Sequence, residues 1–223
     1  MGDIFYAGQV EKTKQEELGR DFLKKGKQGY LAVFADVTGE SIAIPADTTE
    51  RRGTVSGLAI CGSDGDTFPL TVRIKQNIPR RILSSNVATD VDQGYWERAF
   101  YTSNEAFPIS FGDYGAKDTD IIISAIEVYK WLFNRFPNEL GQQGIHIEFQ
   151  DLLHAKAGDS AGVTMAVGAY SSLTNAPVMK DVAMTGSIRS DGSVHAVGGV
   201  PFKVWGAQKS DSIEIVMVPI GKV

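Results

Sequence analysis

The segment Gly158-Asp-Ser-Ala-Gly162 opens a run to Leu173 unusually rich in small residues, and no other part of the chain restricts packing so much. Ala161, Gly162, Ala166, Gly168, Ala169, Ser171 and Ser172 let a helix lie close to a sheet, because close-packed interiors leave no gap where side chains are short. Ahead of it, Ile145-His-Ile-Glu-Phe149 alternates apolar and polar residues, which predicts a strand with His146 and Glu148 on one face. Strand, loop 150–158, turn and helix thus form one unit. Further upstream, Ile122, Ala125, Ile126, Tyr129, Leu132, Phe133 and Phe136 recur at three and four, predicting a helix over 120–136. Asp118 or Thr119 caps it and Pro137 stops it. This helix should pack on the sheet.

The turn also carries chemistry. A Gly-X-Ser-Ala-Gly turn at a helix start exposes the Ser160 hydroxyl and aims free backbone N–H groups at whatever lies beside it. A serine hydroxyl becomes nucleophilic only when a base takes its proton, and a lysine serves if burial keeps its amine neutral. Lys203 has the apolar neighbours Val200, Pro201, Phe202, Val204 and Trp205, which favour such burial. Together they read as a candidate Ser–Lys peptidase site. Each has a plainer explanation: Ser160 as a helix N-cap, Lys203 as a surface lysine at a helix start.

Of the three histidines, His195 reads as exposed. His154 offers a rival Ser–His pairing with Asp159 or Asp181, which the Ser–Lys reading outweighs. No metal-ligand spacing appears among the three. Cys61 is the only cysteine, which excludes an internal disulfide and suits a reducing compartment. It sits in an apolar run, as a buried small hydrophobe would.

The composition, 43% hydrophobic and 22% charged, is that of a soluble globular protein, and the net charge of −5 argues against nucleic-acid or anionic-membrane binding. No targeting signal and no apolar run of about 18 residues is visible, so a cytoplasmic location without a membrane is expected. Residues 9–26 read as an exposed helix ending at Gly26. Residues 30–34 and 41–44 read as short strands joined at Thr38-Gly39. Residues 54–60 and 68–74 read as a strand pair across Gly62-Ser-Asp-Gly-Asp66, an Asp-Gly turn favoured over an acidic calcium loop.

From about residue 144 onward the chain resembles the proteolytic domain of the Lon-type serine protease family. The residues that carry the likeness are His146, Gly-Asp-Ser-Ala-Gly at 158–162, Asp181-Val-Ala-Met-Thr-Gly186, Ser190-Asp-Gly-Ser-Val194, Gly198-Gly199, Lys203 and Ile215-Val-Met-Val-Pro219. Gly53-Thr-Val-Ser-Gly-Leu-Ala59 resembles the strand that opens the same domain. The resemblance covers about 53–80 and 118–219. It implies an α+β fold, with mixed sheets packed by helices, over 53–223. Residues 1–52 are then an N-terminal appendage or linker, and 79–117 an insertion whose aromatics line a groove or, the favoured reading, pack on the body.

By the same resemblance, Ser160 is the nucleophile, Lys203 the general base and Thr185 the threonine that orients the lysine. Gly158 and Asp159 support the turn, and His146 stands near the dyad. Asp159 is similar to the membrane-anchored archaeal branch. The bacterial and mitochondrial branch has proline there and an aspartate where this chain has Ala157. No phosphate loop ending in Gly-Lys-Ser/Thr occurs, so no cofactor is expected, and ATP enters only through a fused or partner ATPase module. The resemblance further implies a polypeptide substrate, a homo-oligomer (a hexamer by analogy) and a final helix and strand missing beyond Val223. Two other classes carry the same motifs: a catalytically silent Lon-fold scaffold, and a self-processing viral-type Ser–Lys protease.

Overall fold

Asp118 starts the first helix by accepting hydrogen bonds from the backbone N–H groups of Asp120 and Ile121 at 2.9 and 3.1 Å, which satisfies two donors that have no partner inside a helix. The computed structural model describes residues 52–61, 64–91, 95–112, 118–150 and 158–219. The expectations for 9–26, 30–34 and 41–44, and for His154, lie outside these residues, as do the side chains of Cys61, Tyr95, Trp96, Phe100 and Tyr101.

Helix α1 spans Thr119–Arg135 and buries Ile121, Ile122, Ala125, Ile126, Val128, Tyr129 and Leu132. Phe136 then leaves helical geometry, and Pro137 does more than stop the helix. It opens a further turn, α2 (Pro137–Leu140), because proline at a first position needs no N–H partner.

Among the described residues the main sheet has six strands. Strands β1 (Thr54–Cys61) and β2 (Asp64–Lys75) are antiparallel. On β2 lies β6 (Gly144–Phe149), also antiparallel, and β5 (Ile109–Phe111) runs parallel to β6. On the other side of β1 come β7 (Val182–Met184) and β10 (Ile215–Met217), both parallel to it in direction. The order is β10-β7-β1-β2-β6-β5. Among the described residues two ribbons stand outside it: a long one, β3 (Arg81–Val91) with β4 (Tyr95–Phe107), and a short one, β8 (Ser187–Ile188) with β9 (Val194–His195).

Alternation along the strands sorts the core into two layers. Val55, Leu70, Val72, Ile145, Ile147, Val182 and Met184 face α1 and α3 (Gly162–Thr174). Leu58, Ala183 and Val216 face the opposite way, towards α4 (Val200–Gln208), through Val200, Val204 and Ala207. Helices therefore cover both faces of a mixed sheet, an α+β arrangement.

The small residues of α3 act as their size predicts. A Cβ on Gly168 would press on Val72 and on the Gly53 carbonyl at 3.0 and 3.1 Å. The Ser171 hydroxyl accepts from the Gly53 N–H at 2.9 Å, and the Ser172 hydroxyl from the Ile74 N–H at 3.0 Å.

One expectation changes. The β1–β2 turn is shorter than its sequence suggests, since Asp64, Gly65 and Asp66 already lie in β2, paired with Cys61, Ile60 and Ala59. Gly65 is needed there because a Cβ would overlap the Phe202 carbonyl oxygen of α4. Within the aperiodic stretch 79–117, strands 81–91 and 95–107 form a long antiparallel ribbon, with an irregularity between Ile82 and Ser84. Its Phe107 is buried edge-on against Tyr129 with ring centroids 6.2 Å apart, so this aromatic packs on the body.

Candidate active site

Parallel strands β7 and β10 deliver the chain to a point between the two helical layers. Thr185, the residue after β7, donates its N–H to the Met217 carbonyl at 3.1 Å. It is fully buried, with the start of α3 on one side and α4 on the other. Its hydroxyl accepts a hydrogen bond from Lys203 Nζ at 3.2 Å and donates one to the Ser160 carbonyl, also at 3.2 Å. The structure thus brings Lys203, Thr185 and the Ser160 backbone into one hydrogen-bonded chain.

Ser160 lies in a 3-10 turn, Asp159–Ala161, that runs directly into α3. The residues at the N-cap positions are Gly158 for the turn and Ala161 for α3, and neither cap uses a side chain. Capping therefore does not explain the serine. It is half-buried, and its hydroxyl makes no hydrogen bond to the described residues. Its carbonyl is held twice, by Thr185 and by the Gly186 N–H at 2.9 Å. The Asp159 carbonyl is also held twice, by the Gly162 N–H and by the Ser124 hydroxyl at 3.3 Å. Gly158 takes φ +90°, where an added side chain would meet none of the described residues within 4 Å; backbone geometry favours the glycine. Its N–H donates to Asp118 at 3.3 Å.

Lys203 is only 4% exposed. A surface-lysine reading therefore fails. Burial pushes its amine down to about 8, while the Asp159 carboxylate pulls the other way. The helix that carries it lies on β2 backbone to backbone. A Cβ on Gly206 would overlap Gly65, and one on Gly65 would overlap Phe202. At the far end of α4, Lys209 forms an ion pair with Asp64.

A cavity of about 320 Å³ adjoins the serine turn, with Ile123, Ser124, Glu127, Asp159, Ile188 and Arg189 among its walls. A larger one, about 870 Å³, lies between the 76–80 and 138–143 segments and includes none of the candidate residues.

His146 sits on β6, opposite Arg73 and Ser110, with Nδ1 2.9 Å from the Ser110 hydroxyl. Burial, then Lys75, lowers its pKa. None of its hydrogen bonds reaches the Lys203–Thr185–Ser160 chain. His195 is exposed, as its sequence context predicts, and its Nε2 lies 3.0 Å from the Ser193 hydroxyl.

Sequence reasoning misses Ser124, Gly65 and Gly206. Ser124 leaves a faint signal, one hydroxyl within the apolar stripe of α1. The glycine contact joins residues far apart in the chain and leaves none.

Residues 110–222 match the family model of the Lon protease (S16) C-terminal proteolytic domain. The chain belongs to this family. It is 29% identical over 170 residues to Lon protease 1 of Sorangium cellulosum (strain So ce56), covering 71% of this chain and 21% of that protein. To Lon protease 3 of the same organism it is 26% identical over 207 residues, 90% of this chain and 22% of the relative. To the Lon protease of Mesomycoplasma hyopneumoniae (strain 232) it is 31% identical over 175 residues, 78% of this chain and 17% of the relative. The aligned part thus spans about a fifth of the length of these curated relatives. Among the described residues no helix is long and apolar enough to cross a membrane.

Proposed function

We propose that this chain is a serine endopeptidase unit that hydrolyses polypeptides with Ser160 as nucleophile and Lys203 as general base. The observation that carries the reading is the buried Lys203 amine, joined through the Thr185 hydroxyl to the Ser160 backbone.

The reaction runs as follows. Neutral Lys203 takes the Ser160 proton as the hydroxyl oxygen attacks the substrate carbonyl carbon. The C=O electron pair moves onto oxygen, and backbone N–H groups at Asp159 and Ser160 receive the negative charge. As the tetrahedral species collapses, the C–N bond breaks and the Lys203 ammonium protonates the leaving amine. Water, deprotonated by the same lysine, then attacks the acyl-enzyme, and Ser160 leaves with the proton. Thr185 keeps the amine turned towards the serine turn. The cavity beside Asp159 takes a substrate side chain next to the scissile bond. An ATPase module, fused or on a partner chain, would feed unfolded polypeptide, and a ring of copies is part of the same proposal, as is a cytoplasmic setting.

Cleavage of an unstructured polypeptide, together with labelling by a serine-reactive phosphonate, tests this. Ser160→Ala is expected to abolish both while the unfolding transition survives. A wild-type chain that neither cleaves nor labels, or a Ser160→Ala chain that still cleaves, overturns the reading. The first result is the one a silent scaffold would give.

A further inference from the structure

We propose that Ser124 is a positioning residue: by holding the Asp159 carbonyl it aims the Ser160 N–H at the oxygen that becomes negative during the reaction. This rests on Ser160 being the nucleophile. It assigns a residue on α1, outside the Ser–Lys–Thr chain.

A peptide unit is planar and trans, so its carbonyl and its N–H point in opposite directions. Fixing the Asp159 oxygen therefore fixes the direction of the Ser160 N–H. Two donors among the described residues reach that oxygen. The Gly162 N–H belongs to the same turn and rotates with it. Ser124, at 3.3 Å, comes from another helix, and so ties the peptide plane to the body of the protein.

The setting suits that task. Ser124 is 3% exposed, on a helix face whose neighbours Ile121, Ala125 and Val128 are buried. A helical serine commonly bonds back to the carbonyl four residues earlier; this one reaches across to the nucleophile turn. The fit is close: a Cβ on Gly162 would lie 2.8 Å from the Ser124 oxygen, so glycine at 162 makes room for the hydroxyl. The next peptide plane has its own tether, since the Ser160 carbonyl is held by Thr185 and Gly186. Each plane flanking the nucleophile is thereby anchored to a different element. A hydroxyl donating to a carbonyl also polarises the amide beyond it, making its N–H a better donor.

Losing an oxyanion donor outright typically costs on the order of 10²–10³ in rate, and a donor left in place but free to tilt costs less. The test compares wild type, Ser124→Ala and Ser124→Cys in kcat and KM for a peptide substrate, inhibition by a peptide boronate, the acid limb of the pH–rate profile and thermal unfolding. Ser124→Ala is expected to lower kcat about tenfold and to weaken the boronate, whose tetrahedral adduct uses the same N–H, by a similar factor. KM and the acid limb should not move. Ser124→Cys, near in size and a weaker donor, should fall between, and it serves alone if the alanine variant does not fold. Boronate affinity and kcat within twofold of wild type in both variants overturn the proposal. So does a loss that comes with a displaced acid limb, which would mean action through Lys203. A wild-type chain that neither cleaves nor binds boronate fails the protease reading itself and takes this one with it.

Discussion

Ser160 and Lys203 are held by opposite means. The serine turn is half-exposed and fixed through its backbone, by hydrogen bonds from α1, the residues after β7 and the turn itself. The lysine is buried, has one side-chain hydrogen bond among the described residues, and is placed by the packing of α4 on β2. Hydrogen bonds set direction, and close packing sets depth and dielectric. Changes around the serine should then alter rate with little effect on stability. Changes around the lysine should alter stability and proton affinity together.

Lys203→Met breaks the comparison hardest. If Lys203 is the base, as proposed, removing it should lower kcat/KM by about 10³ or more, within the range of general acid–base catalysis and the nucleophile activation that depends on it. The same change should stabilise the fold near neutral pH. Lys203 has a folded pKa of about 8 against an ordinary 10.5, so the folded state binds the proton less well than the unfolded chain. Below pH 8 both states carry it, and holding the charge inside costs about 3 kcal/mol at the usual 1.36 kcal/mol per unit. Between pH 8 and 10.5 the unfolded state binds more protons, and the cost fades as pH rises. Unfolding free energies should therefore favour Lys203→Met most at pH 7, with the gap shrinking through pH 8 to 10.5 and closing only above 10.5. A gap that widens with pH would contradict the burial argument.

Gly206→Ala acts on the packing alone. A methyl group there overlaps the Gly65 backbone, so α4 must lift from β2. Overpacking of this kind costs roughly 1–3 kcal/mol. Because Lys203 rides on the same helix, a fall in activity of about tenfold or more should accompany it. Gly158→Ala is the internal control, since its methyl meets none of the described residues within 4 Å and its cost there is that of a φ of +90°. If both variants lost equal stability, helix docking would not be what seats the lysine.

These contacts also mark how far the sequence is legible. Helix α1 and strand β6 match their periodicity to within a residue or so, because one face of each is buried and the pattern records it. Ser160, Thr185 and Lys203 stand out through motif spacing, and the apolar neighbours of Lys203 already point to its burial. The β1–β2 turn misleads, because Asp64-Gly65 has turn chemistry locally while the glycine serves a helix that arrives some 140 residues later. The 81–107 ribbon is hard to read because polar residues such as Ser84, Thr102 and Ser103 interrupt any alternation. Of these, Ser103 is buried through its bonds to the Leu83 N–H and the Glu105 carbonyl. Ser124 is legible only as a polar residue on the wrong face; its partner is set by tertiary structure.

The smallest expected effect sharpens the comparison most, because Asp159 belongs to both sides of it. Its backbone is part of the serine turn, and its carboxylate is the charge that supports the Lys203 ammonium. Asp159→Asn keeps the backbone and removes the charge. Lys203 should then lose its proton more readily, and the acid limb of kcat/KM should move to lower pH. At pH 7, where about a tenth of the amine is neutral for a pKa near 8, the rate should rise by less than tenfold. Above pH 9 wild type and variant should nearly coincide, because the base is then largely deprotonated in both. A uniform loss at all pH values would instead place the carboxylate in the geometry of the turn. An acid limb moved upward would show that burial alone, without the opposing pull of Asp159, does not govern the lysine.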